Sequence, residues 1–498
     1  MFPLLAKLNR PVVAILAVGA IAGVLRFNHL GYPERRIFDE YYYPKSACIF
    51  LGYSNERCDI NSADERLWRD QQNDTGAWVH PPLGKWMIAV GELGFGTESF
   101  GWRVSSAVTG TATVMLLAFM VHLLFASTIW TFTGGLLLAV ENLHFVQSRT
   151  AMLDVFVTFW IVLGFAFLLL DRRWIEHRTP EPDAPARERA AGSVDDPTPP
   201  SEQRLRRGPP APLWRPWRFA AGAAFGAGVA TKWSGLTAIA VAVVLSFIWE
   251  VSRRHRAGVR HPVADAIPAE GFGLVLAFVI VSSAVYLASY AGWFAHFGFD
   301  PGQWMALQGN IFEYHRNLST IDPATGEPIH PYLAQAWKWI LLWRPIAYYA
   351  DFGEGVRQVI YANGNPAIFW GSILAVPYAA FAWWSKRDWR AGFVVVTVAG
   401  LYLPWMLVQR PQFVFYATPI TPFFVLACVY ALKELSEVRY EALHAAGNAA
   451  RAVRPYLPIA VAFVVAAVGV FVWFWPTLTG GPLSDEDWLL RAWFPTWT

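Results

Sequence analysis

Two adjacent carboxylates, Asp39 and Glu40, stand in ERRIFDEYYYPKSA (34–47), directly before three tyrosines and a few residues beyond an apolar run. A placed carboxylate can take the proton of a hydroxyl during attack, which contributes about 10²–10⁴-fold in rate. The same pair suits two other tasks: capping the short helix that Pro44 opens, because acids favour a helix N-terminus, or holding a metal. Other groups suited to a charged substrate follow. GAWVHPPLGKWMIAVGELGFG (76–96) carries His80 and Lys85, and FGWRVSSAVTG (100–110) carries Arg103. ENLHFVQSRTAMLDVFVTFW (141–160) holds Glu141, His144, Arg149 and Asp154; ATKWSGL (230–236) adds Lys232; IHPY (329–332) adds His330; WRPIAYY (343–349) adds Arg344; and VQRPQFVFY (408–416) adds Arg410.

The elements that must position these groups are membrane helices. The chain of 498 residues is 55% hydrophobic and 15% charged, with 26 tryptophans, against roughly 25% charged residues in soluble domains. Its apolar blocks have the length a helix needs to cross about 30 Å of hydrocarbon, whereas a transmembrane barrel would alternate over about ten residues. The reading is an all-α polytopic membrane protein of about eleven spans: 11–27, 102–125, 128–146, 151–170, 218–231, 234–250, 271–292, 366–383, 392–409, 413–432 and 456–475. The pair 218–231 and 234–250 reads equally as one bent span. MFPLLAKLNR lacks a small-residue cleavage site, which makes 11–27 a retained helix.

Basic loops set the orientation. With Lys7 and Arg10 inside, the arginine-rich stretches 171–217, 252–260, 385–390 and 433–454 all fall in the cytoplasm. Loops 28–100 and 293–365 and the tail 476–498 then lie outside, rich in the aromatics that favour the interface. The organisation expected is an N-terminal membrane module (1–170) with the catalytic loop 28–100, a cytoplasmic linker (171–217), the remaining helices (218–475) around outer loop 293–365, and the tail. The linker's centre, 178–212, is too poor in apolar residues to order.

Each charged residue also has a plain structural reading. Lys85 can snorkel to headgroups, Arg149 and Asp154 can pair within the membrane, and His80 and His330 can be satisfied core histidines. Asp64, Glu65, Asp70 and Asp74 read as a solvated helix and turn and offer no metal cluster. No CxxC pattern is present, so no structural zinc is expected. Cys48 and Cys58 share an outer loop where a disulfide can persist, and Cys428 reads as a small core residue. Intramembrane charges usually mark a pathway or a binding site, and here they crowd the outer side on separate helices.

Together FDE (38–40), HPPLGK (80–85), SRTAMLD (148–154), ATKWSGL and RPQFVFYATPITPF (410–423) resemble the protein O-mannosyltransferase family over residues 30 to about 430. Individually these motifs are moderate; jointly they are specific. Glu141 departs from the pattern, which has Asp there. The short loop 293–365 lacks the β-trefoil insertion of eukaryotic relatives and points to a bacterial, actinobacterial member. The resemblance implies an integral membrane glycosyltransferase of the GT-C type in the cell membrane, with its active site outside. Its donor would be polyprenyl-phosphate mannose among membrane lipids, its acceptor a Ser or Thr hydroxyl of a secreted, extended chain, and its partners would include the Sec translocation machinery. Transfer would invert the anomeric centre.

Such a reaction needs a base but no acid, because the leaving group is already a phosphate; the developing anion needs cations instead. Asp39 is assigned as the base, with Glu40 positioning the acceptor or a neighbouring cation. Lys85, Arg103, Lys232, Arg344 and Arg410 are candidates for the phosphate. His80, His330, Arg149 and Asp154 complete the donor-binding set. No obligatory metal is expected and no nucleic acid. Competing readings are another GT-C enzyme, moving arabinose or aminoarabinose, a transporter, and a non-catalytic scaffold. A transporter would show repeated halves, which the sequence lacks, and a scaffold leaves the acid pair unexplained.

Overall fold

The computed structural model describes residues 10–61, 79–178, 213–438, 440–442 and 451–498. Asp64, Glu65, Asp70 and Asp74 lie outside the described residues, as does the linker's expected disordered centre apart from Arg178.

The apolar blocks form the helices that their length demands. In the first half these are α1 (Arg10–Phe27), α2 (Tyr43–Phe50), α3 (Leu83–Phe95), α4 (Ser99–Phe125), α5 (Thr128–Ala139), α6 (Asn142–Gln147) and α7 (Leu153–Arg178). Then come α8 (Pro216–Thr231), α9 (Leu236–Arg256) and α10 (Pro262–Ser289). The region 291–365 holds α11 (Ala291–Phe297), α12 (Pro301–Asn317), α13 (Ala336–Trp339) and the strands β1 (Ile346–Gly353) and β2 (Val356–Ala362). The chain closes with α14 (Pro366–Lys386), α15 (Trp389–Tyr402), α16 (Thr421–Glu437), α17 (Leu457–Thr479) and α18 (Asp485–Arg491).

Among the described residues eight helices are long and apolar enough to cross a membrane: α1, α4, α7, α9, α10, α14, α15 and α17. The other three expected spans are the shorter helices α5, α8 and α16, of 12, 16 and 17 residues. The stretch 218–250 divides into α8 and α9 around Lys232, and is not one bent span. The β1–β2 hairpin is an addition to the all-α expectation.

Two ends of the bundle are chemically distinct. At one, the tails of α4, α7 and α9 meet the starts of α8, α10 and α15: Arg215 pairs with Asp171 and Glu270, and Arg390 donates to the Leu124 carbonyl at 2.7 Å. At the other, the first turns of α4, the turns before α7 and α9, and the hairpin converge on the loop that follows α1. Small residues allow the close approach. A Cβ on Gly222 or Gly226 of α8 would collide with the α10 backbone at Ala277 or Ser282, the usual means of packing helices in lipid. There α10 widens into a π-turn over Leu276–Val281.

Candidate active site

The carboxylate pair is split by its surroundings. Phe38–Tyr41 form a single 3-10 turn, and Phe38 enters it at φ 49°, a left-handed conformation costing a side-chain-bearing residue about 1–3 kcal/mol. Its ring is clamped against Tyr348 at 4.7 Å and Phe415 at 5.7 Å, which holds the turn and sends its two acids in different directions.

Glu40 is fully buried. Its carboxylate accepts from Arg103 Nε (2.8 Å) and NH2 (2.7 Å), from the Ile37 N–H (3.1 Å) and from the Ala151 N–H (2.9 Å). Arg103 spends its remaining N–H groups on the carbonyls of Leu30, Pro33 and Arg35. A guanidinium has five donors, so none is left for a phosphate. The pair therefore ties α4 to the 30–40 loop and the turn before α7, and Arg103 leaves the set of donor ligands. Neither acid caps α2, whose start carries Pro44.

Asp39 is half-buried and reachable. It accepts a long hydrogen bond from the Tyr43 hydroxyl, 3.4 Å. Burial raises its carboxyl to about 6, opposed by the Lys232 ammonium and assisted by the Asp154 carboxylate. From Tyr43 a row of rings runs across the site. Tyr43 lies 6.2 Å from His80, and His80 stacks on His315 at 5.2 Å. His315 Nε2 meets the Val79 carbonyl at 3.1 Å, and its Nδ1 meets Arg410 NH1 at 2.8 Å. Burial lowers His315 to about 4, so the imidazole is neutral at pH 7, with Nε2–H donating to Val79 and Nδ1 accepting from Arg410. Burial likewise keeps His80 neutral.

This row borders a cavity of about 380 Å³ lined by His80, Lys232, Trp233, His315, Arg316 and Arg410, with Phe312 and Val408 as apolar walls. At its base Lys232 Nζ bridges both oxygens of Asp154 at 2.9 Å and faces the Tyr416 ring at 4.8 Å. Cations and apolar walls in one recess suit a lipid-linked phosphate.

Several expected site residues serve elsewhere. Arg149 does not pair with Asp154; it donates to the carbonyls of Leu25 (3.3 Å), Arg26 (2.9 Å), Asn28 (2.5 Å) and His29 (3.2 Å), closing the open end of α1. Lys85 is buried in the first turn of α3, donates to the His80 carbonyl at 2.9 Å, and so holds the His80 loop. His330 accepts from the Tyr332 N–H at 3.2 Å and packs on Phe413, and Arg344 donates to the Pro331 carbonyl; neither lines the cavity. Glu141 caps α6 through the N–H groups of Leu143 and His144 and also accepts from Asn365 N–H.

His315, Arg316, Tyr43 and Tyr416 are site residues that the sequence reading passed over. The visible signal for the first two was the dipeptide His-Arg in the aromatic loop 293–365. A disulfide joins Cys48 in α2 to Cys58 in the loop that follows, and Cys428 is buried in α16. Among the described residues no group of three His, Cys, Asp or Glu side chains is arranged to hold a metal. The carboxylate of Asp154, whose charge bears on Asp39, is occupied by Lys232.

Comparison with known proteins places the fold. Residues 16–179 match the family model of dolichyl-phosphate-mannose-protein mannosyltransferase, and residues 302–497 match that of the C-terminal four-helix membrane region of protein-O-mannosyltransferase. The chain is 32% identical to a polyprenol-phosphate-mannose–protein mannosyltransferase of Mycolicibacterium smegmatis, over 96% of this chain and 92% of the relative. It is 31% identical to the protein of that name in Mycobacterium tuberculosis, over 96% and 90%. Its fold resembles that of the Saccharomyces cerevisiae protein O-mannosyltransferase Pmt1-Pmt2 complex bound to the sugar donor, with a TM-score of 0.68 at 15% identity over 99% of this chain and 93% of that one.

Proposed function

This chain belongs to the protein O-mannosyltransferase family, and we propose from that membership a reaction and a division of labour among its residues. It is a mannosyltransferase that takes mannose from a polyprenyl phosphate and places it on the hydroxyl of a Ser or Thr in a polypeptide. The hydroxyl oxygen bonds to the anomeric carbon as the bond from that carbon to the phosphate oxygen breaks. The hydroxyl proton passes to Asp39, and the lipid phosphate departs with the bonding pair. Attack from the face opposite the phosphate inverts the centre.

The observation that carries this reading is the row from Asp39 through Tyr43, His80 and His315 to Arg410, with a reachable carboxylate at one end and a cationic recess at the other. Arg410, held by a neutral His315, and Lys232 receive the departing phosphate. Glu40 acts through position alone. No metal is obligatory, since the cations already present neutralise the leaving group. The site faces outward across the plasma membrane, where the secretion machinery delivers unfolded acceptors.

Purified protein incubated with polyprenyl-phosphate mannose and a Ser/Thr-rich peptide will add hexose to the peptide, removable by α-mannosidase and undiminished by EDTA. A peptide of unchanged mass contradicts the reaction; loss with EDTA and recovery with manganese contradicts the metal-free mechanism.

A further inference from the structure

The β1–β2 hairpin has one closed edge and one open edge. On the β2 side, Arg357 and Leu483 exchange backbone hydrogen bonds, 2.8 Å from Arg357 N and 3.0 Å from Leu483 N. Arg357 faces Phe352 in the hairpin register. Because Arg357 directs its N–H and C=O outward, Arg357–Phe352 is a non-hydrogen-bonded pair, and so by alternation is Val359–Ala350. Ala350 and Phe352 therefore direct their own N–H and C=O groups away from β2. Among the described residues no backbone hydrogen bond reaches these four groups. Ala350–Gly353 are exposed throughout.

Unpaired strand edges invite another chain, and proteins usually blunt them with lysine, proline or a covering segment. Among the described residues no lysine, proline or covering segment protects the outer half of β1, and its one charge, Asp351, pairs with Arg35 at 3.5 Å, although the opposite edge is covered. The strand also starts inside the site. Tyr348, at the bulge between Ala347 and Tyr349, stacks on Phe38, the neighbour of Asp39. At about 3.3 Å of rise per residue, Ala350 lies about 7 Å and Phe352 about 13 Å farther along the strand.

We propose that the outer edge of β1 binds the acceptor polypeptide as an added strand, pairing its backbone with Ala350 and Phe352 and delivering the next Ser or Thr to Asp39. This rests on the transferase reading above and extends it to the way the acceptor is held. Backbone pairing recognises an extended chain whatever its side chains, which suits an enzyme that modifies many Ser- and Thr-containing segments before they fold.

The test uses the full-length protein and an acceptor peptide carrying one reactive Thr. Methylating the peptide's backbone nitrogens one at a time will lower kcat/KM at least tenfold at every second position on one side of the Thr and little between. Ala350→Pro and Phe352→Pro remove outward N–H groups without removing a β1–β2 hydrogen bond, a substitution that edge strands tolerate. Each will raise the peptide KM about tenfold and leave the KM for polyprenyl-phosphate mannose unchanged. A flat methylation scan overturns the proposal even if the proline variants misfold. So does spontaneous cross-linking of two copies through Phe352→Cys without peptide, which makes the edge an interface between chains. If wild-type protein modifies the unmethylated peptide while the scan is flat, edge pairing alone fails; if it modifies no peptide, the transferase reading fails and this inference with it.

Discussion

At the scale of residues, adjacent acids of one charge do different work because only one can be reached. Asp39, the proposed base, has its carboxyl raised to about 6 by burial. Its raised pKa sets the sign of the pH dependence: the ionised form accepts the proton, so kcat/KM is full above about pH 6 and falls tenfold per pH unit below it. A profile with no limb between pH 5 and 7 contradicts that role. Arg410 is the proposed phosphate ligand, and because a guanidinium presents a planar fork Arg410→Lys will recover only part of what Arg410→Ala loses; the readout is the donor KM, with about tenfold expected for alanine and the peptide KM unmoved. The chemical types of Asp39, Lys232 and Arg410 and their gathering at one end of the bundle were legible in the sequence. The duties of Arg103 and Arg149 were not, because a guanidinium saturated by carbonyl oxygens has the same letter as one awaiting a phosphate. His315 stayed hidden because its partner Arg410 is 95 residues away.

At the scale of elements, a clamp holds the reactive turn in place. The buried Glu40–Arg103 pair, at 2.7 Å, joins α4 to the loop bearing Asp39 and reaches the turn before α7 through the Ala151 N–H. Breaking one side of such a pair leaves a stranded buried charge and costs about 3–5 kcal/mol. Glu40→Gln will therefore lower the Tm by several degrees, and its activity loss will track loss of folded protein; a Tm equal to wild type contradicts the clamp. The helix opened by Pro44 was readable from punctuation. The hairpin was not. Its run IAYYADFGEGVRQVIYA has the aromatic and β-branched residues of strands around a Gly-Glu-Gly turn, but aromatic density was read as interface packing. The two signals share residues, and tertiary pairing decides between them.

At the scale of the whole molecule, charge sorts the bundle into two ends. Buried arginine–carboxylate pairs such as Arg215–Asp171 and Arg218–Glu270 tie the helix ends on the side of the basic loops, and the cavity lies at the other. Tyr42→Cys, at a position 42% exposed beside Asp39, will react with a membrane-impermeant maleimide in intact cells. Labelling only after lysis contradicts the outward orientation. The architecture, including the short α8, was readable because hydrocarbon thickness dictates helix length; the shortness of α5 and α16 was not, since packing among neighbours, and not hydropathy, sets where those helices stop. The most direct measurement is the single-turnover rate of mannose transfer by Asp39→Asn beside wild type, at pH 7.5 with both substrates saturating. The substitution keeps the shape and removes the base. A fall of about 10²–10⁴-fold, with donor binding and Tm unchanged, is the expected result, and a rate within threefold of wild type would show that another group takes the proton.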